Sequence, residues 1–164
     1  MFIDNYISKK VDEELEGDDS FIMRKIRSSI FLILVLSIPQ LVVYYLIFLM
    51  SFFNDKLAMA FLVTFISPIT EEYCKKIAIQ KQFPWVFVTF FSLYEAILYF
   101  LNNLWFVPIL SLLLIRTLAI ILHFATISYM YFKSDKNYIV PNAALAIAVI
   151  IHSIYNFINL IFVD

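Results

Sequence analysis

Residues 57–79 read LAMAFLVTFISPITEEYCKKIAI, and the two halves of this stretch pull in opposite directions. Leu57 to Ile66 suits a hydrocarbon interior, whereas Glu71, Glu72, Lys75 and Lys76 crowd the half that follows Pro68. An ionisable side chain near a bilayer centre costs about 2.5–3.5 kcal/mol on insertion scales, so this helix needs either a membrane boundary or partners on other helices. Its surroundings supply the context. Four further apolar stretches, at about 29–53 (with Pro39), 84–101, 105–132 and 140–163, are broken by Asn54-Asp55-Lys56, Asn102-Asn103 and the run Lys133 to Asn137. Each approaches or exceeds the roughly 20 residues that cross a hydrocarbon core of about 30 Å.

Composition agrees. Of 164 residues 63% are hydrophobic and 15% charged, with mean hydropathy +0.88, so the chain cannot cover itself with polar surface in water. The expected fold is all-α: a polytopic transmembrane helical bundle of about five spans over 29–164, preceded by an acidic cytoplasmic tail, 1–28. A net charge of -1 leaves no electrostatic footprint for nucleic acid. One cysteine, Cys74, excludes an internal disulfide, and one glycine, Gly17, excludes a Gly-rich phosphate loop.

Lys and Arg alternate between the connections. Arg24, Lys25 and Arg27 precede the first stretch, Lys56 stands alone after it, then come Lys75, Lys76 and Lys81, then none, then Lys133 and Lys136, then none. By the positive-inside rule the N-terminus is cytoplasmic and the C-terminus outside, in a cell (inner) membrane.

Ionisable groups inside the spans fall on helical faces, since residues three, four or seven apart share a side. Glu95 shares a face with Phe91 and Tyr99, Arg116 with His123, and His152 with Asn156. At 1.5 Å per residue Glu95 lies about 16 Å from Pro84, His123 about 14 Å from Phe132 and His152 about 18 Å from Val140. Glu72 reaches about 13 Å if its helix continues to Lys81. A common depth for Glu, Glu, His and His from four helices predicts a polar cavity, open toward the cytoplasmic half. Taken alone, Glu71 and Glu72 with Lys75 and Lys76 also read as an ordinary charged helix end. Arg116 is placed to neutralise Glu95.

In order, Pro68-Ile69-Thr70-Glu71-Glu72-Tyr73-Cys74-Lys75, then Phe91-x-x-x-Glu95-x-x-x-Tyr99, then Arg116 with His123 seven later, then His152-x-x-x-Asn156, the chain resembles the PrsW-type membrane protease family, related to the CAAX-processing and bacteriocin-immunity membrane proteins. The resemblance implies a polytopic protease acting on a transmembrane or membrane-anchored peptide substrate in the lipid bilayer. It puts Glu71, Glu72, Glu95, His123 and His152 on active-site positions, with Asn156 as their polar companion.

Amide hydrolysis needs an activated water and a group to hold the oxyanion. The expected roles are Glu71 or Glu72 as general base, His152 and Asn156 at the oxyanion or the water, His123 orienting the carboxylate or protonating the leaving amine, and Glu95 and Arg116 in support. The expected catalysis is metal-free, with Zn²⁺ held by Glu72, His123 and His152 as the rival mechanism that the sequence leaves open. Two other classes use the same residues: a non-catalytic membrane binding or immunity-type protein, and a small proton-coupled transporter.

Overall fold

A computed structural model describes Lys9 and residues 21–50, 60–103, 105 and 107–163. The acidic stretch of the expected tail and the break Asn54-Asp55-Lys56 lie outside the described residues. Among the described residues every regular element is helical: α1 (Phe21–Met50), a π-helical turn (Leu62–Ile66) running straight into α2 (Ser67–Gln80), α3 (Pro84–Asn103), α4 (Ile109–Lys133) and α5 (Asn142–Val163). The chain is an all-α membrane protein. Among the described residues three helices are long and apolar enough to cross a bilayer: Pro84–Leu101, Ile109–Lys133 and Asn142–Ile161.

Helix α1 begins eight positions before the expected start at Ser29, because Phe21 to Arg27 continue the turn that carries Ser28 and Ser29 into contact with the other helices, where both are buried. Lys25 Nζ donates to the Gln82 carbonyl at 3.0 Å and fixes this end of α1 against the α2–α3 turn. That turn is a Schellman closure. Phe83 N–H bonds the Ala78 carbonyl at 2.9 Å and Gln82 N–H the Ile79 carbonyl at 3.0 Å, with Gln82 left-handed at φ 61°. Pro84 then opens α3 at a position where a missing N–H costs nothing.

Helices α1, α3, α4 and α5 form an arc around α2, which packs against all four. The contacts are apolar at one end: Leu32 and Leu36 of α1, Ile77 and Ile79 of α2, Phe87 and Phe91 of α3, Ile127 and Met130 of α4. Ala144 and Ala148, buried on the face of α5 that carries His152, let that backbone approach α2 closely. Outward faces are apolar too; Ile97, Ile121 and Ile154 are each more than half exposed. Such a surface is stable only in lipid. Hydroxyls on the apolar helices return to the preceding turn, as Thr89 to the Trp85 carbonyl (2.8 Å) and Thr117 to Leu113 (2.8 Å).

The charged half of 57–79 is not a solvated helix end. Glu71, Glu72 and Lys75 are all buried within the arc.

Candidate active site

Helix α2 is the polar axis of the molecule. Ser67 Oγ donates to Glu71 Oε1 at 2.5 Å, one turn along the same helix. Glu72 Oε1 is the busier acceptor: it takes Lys75 Nζ at 2.5 Å, His152 Nδ1 at 2.8 Å and Thr126 Oγ1 at 3.2 Å. Glu72 and His152, eighty residues apart in sequence, are thus in direct contact.

Lys75 extends the network to α4. Its ammonium lies 3.0 Å from His123 Nδ1 and donates to Thr126 Oγ1 at 2.9 Å. A lysine ammonium only donates, so Nδ1 accepts and the His123 proton sits on Nε2. From there it bonds Glu95 Oε2 at 2.6 Å. Arg116 completes the far side: its Nη1 is 3.9 Å from Glu95 Oε1 and its guanidinium lies over the Tyr99 ring, 3.7 Å from the centroid. The imidazoles of His123 and His152 meet edge to face with centroids 5.1 Å apart, and Phe91 approaches His123 in the same way at 5.1 Å.

Every sequence-selected group except Asn156 joins this network. Asn156 Nδ2 instead donates to the Val63 carbonyl at 2.9 Å. The cause lies in the backbone. Ser67 N–H bonds Leu62, five residues back, and so abandons Val63, its α-helical acceptor. In the π register the donor to Val63 would be residue 68, a proline with no N–H. Asn156 satisfies the carbonyl that Pro68 orphans, which corrects its expected place at the oxyanion.

Three more expectations change. Lys75, counted as a cytoplasmic flanking charge, is fully buried. The predicted open cavity is a packed polar core: Glu71, Glu72, His123 and His152 are each 3% exposed or less, because the Lys75 side chain fills the space between α2 and α4. The metal set also differs. Ligand atoms of Glu71, His123 and His152, not Glu72, lie within 4.8 Å of one another. A catalytic zinc takes three protein ligands and a water. In this structure both His123 nitrogens are engaged, Nδ1 by Lys75 and Nε2 by Glu95.

What remains chemically open is small and specific. Glu71 Oε2 and Glu72 Oε2 are buried without a hydrogen-bond partner among the described residues, and Glu71 Oε2 stands 3.5 Å from His152 Nε2. Since His152 presents Nδ1 to Glu72, its neutral form carries the lone pair on Nε2, facing Glu71. Lys75 closes the first sequence motif but carries no role in the expected site, and Thr126 is absent from it; each stands three residues after a selected group, Glu72 and His123.

Comparison with protein-family models, curated proteins and solved structures finds no match to this chain.

Proposed function

We propose that the protein is a membrane-embedded peptidase of the PrsW type, with five spans, the N-terminus cytoplasmic and the C-terminus outside, hydrolysing a peptide bond of a transmembrane or membrane-anchored substrate without a metal. One observation carries the reading: Glu71 Oε2 and His152 Nε2 face each other at 3.5 Å while Glu72 orients His152 through Nδ1. A carboxylate that holds one imidazole nitrogen directs the other as a base.

In this mechanism water enters against Glu71 and His152 and gives up a proton to the pair as its oxygen adds to the scissile carbonyl. An imidazolium formed at His152 then points its Nε2–H at the developing oxyanion. The same proton passes to the amine as the C–N bond breaks, the usual reversal of roles from general base to general acid. Lys75 and Thr126 hold Glu72; His123 and Glu95 hold Lys75 in turn. The resting core is closed, so substrate binding requires the arc of helices to part around α2.

That closure also favours a second reading, a non-catalytic membrane binding or immunity-type protein of the same fold, in which the polar core holds the helices together. The two readings diverge for Glu71→Gln, which retains shape and hydrogen-bonding capacity but loses the base. As a peptidase, the protein generates new N-termini within membrane-anchored proteins of its host cell, detectable by terminal proteomics, and Glu71→Gln removes them at equal protein level. Loss of a general base lowers the rate by about 10²–10⁴-fold. Identical N-termini with wild type, with Glu71→Gln and without the protein would leave the binding reading standing.

A further inference from the structure

A buried histidine pair beside three carboxylates has the ingredients of a divalent-metal site, yet this one is assembled around an organic cation. Lys75 has three N–H donors, and all three are placed: on Glu72 at 2.5 Å, on His123 Nδ1 at 3.0 Å and on Thr126 at 2.9 Å. Its side chain is wholly inaccessible, as is that of Glu72. Within the network two groups, Lys75 and Arg116, offset Glu71, Glu72 and Glu95, and Arg116 faces the Glu95 carboxylate, where Lys75 directly contacts both Glu72 and His123. The ammonium is therefore the charge next to both Glu72 and His123.

We propose that Lys75 is the resident cation of this site: it takes the electrostatic place of a metal ion, and by engaging His123 Nδ1 it keeps Glu71, His123 and His152 from closing on one. The geometry is specific about what its removal would release. Glu71, His123 and His152 already have ligand atoms within 4.8 Å of one another. Zinc or cobalt needs nitrogen and oxygen ligands at about 2.0–2.2 Å, so a modest contraction completes a three-ligand site once His123 is free to turn. Deleting the ammonium also leaves the buried charge of Glu72 without its cation, a demand that a divalent ion meets. This inference stands whether or not the site hydrolyses peptide bonds.

The test is a metal titration of the full chain in detergent, purified through a tag without histidine. Wild type and Lys75→Met are equilibrated with Co²⁺, dialysed, and analysed for metal content, visible absorption and thermal melting. Wild type is expected to retain well under one equivalent, with a melting temperature indifferent to Co²⁺. Lys75→Met is expected to retain one equivalent, to develop the visible absorption of a nitrogen- and oxygen-ligated cobalt ion, and to melt higher with the ion than without it. Adding His123→Ala to Lys75→Met should abolish uptake. Should Lys75→Met fail to fold, Glu72→Gln combined with Lys75→Met removes both members of the buried pair, keeps the three ligands, and is read in the same way. One equivalent of metal in the wild type, or none in either folded variant, overturns the proposal.

Discussion

Burial decides which charges in this protein matter. Glu72 and Lys75 are both inaccessible and directly paired, so removing one strands the other; such a loss typically costs about 3–5 kcal/mol. Arg116 is different. It is partly exposed, its contact to Glu95 is 3.9 Å, and Glu95 keeps the 2.6 Å bond from His123 without it. What Arg116→Ala gives up is chiefly its place over Tyr99, about 0.5–2 kcal/mol, plus a loose ion pair worth at most about 1 kcal/mol. Thermal melts in detergent should therefore rank Lys75→Met well below Arg116→Ala, and the reverse order would refute this account of the network. The glutamates, the histidines and Arg116 were legible in the sequence because Glu, Arg and His in apolar helices announce themselves by their insertion cost. Lys75 was not, since a lysine next to Lys76 and close to a helix end has the pattern of a flanking charge. Thr126 was not, since hydroxyls in apolar helices usually bond their own backbone and imply nothing beyond it.

Hydropathy located the helices to within a few residues where an end is marked by a proline or a polar run, as at Pro84, Pro141 and Lys133. It was blind to α1 beginning at Phe21, where Arg24, Lys25 and Arg27 interrupt the apolar residues, and to the π-helical turn, where Pro68 is the only visible cue. That turn has a measurable dependence. With Asn156→Leu the Val63 carbonyl loses its donor in a part-buried, water-poor setting, a penalty of about 1 kcal/mol, although the leucine is more apolar than the residue it replaces. A melting temperature raised by Asn156→Leu would show that the turn does not need this bond. The α2–α3 closure makes the opposite forecast. Gln82 is exposed and left-handed at φ 61°, a conformation that costs an L-residue about 1–2 kcal/mol and glycine almost nothing. After allowing for the greater freedom of glycine in the unfolded chain, Gln82→Gly should stabilise the protein by about 0.5–1 kcal/mol. A chain with a single glycine, spent at position 17, leaves that gain unrealised. A lower melting temperature would mean that the Gln82 side chain makes a contribution its exposure does not reveal.

At the scale of the whole molecule the basic residues of the described helix ends and turns gather at one end, and side-chain bonds show this without reference to a membrane. Lys25 at the start of α1 bonds the α2–α3 turn, and Lys76 near the end of α2 donates to Asn142 Oδ1 at the start of α5, at 3.2 Å. The first turns of α1, the α2–α3 turn and the α4–α5 turn are therefore neighbours, and they carry Arg24, Arg27, Lys81, Lys133 and Lys136. Taking Lys75 out of the count, as its burial demands, removes no end from this set. Trp105 and the C-terminal turn of α5 belong to the opposite end, where the described connection between α3 and α4 carries no Lys or Arg. Because lysine and arginine are retained on the cytoplasmic side, the basic end should face the cytoplasm. The chain is suited to a direct test, since its one cysteine, Cys74, is buried and contributes no background labelling. A membrane-impermeant thiol reagent applied to intact cells should modify Trp105→Cys, which replaces a residue 85% exposed, and should reach Lys136→Cys only after the membrane is opened. Labelling of Lys136→Cys in intact cells with Trp105→Cys protected would invert the orientation. The polar core would then open, if it opens toward its charged end, to the outside, and a substrate would have to present its cleavage site there.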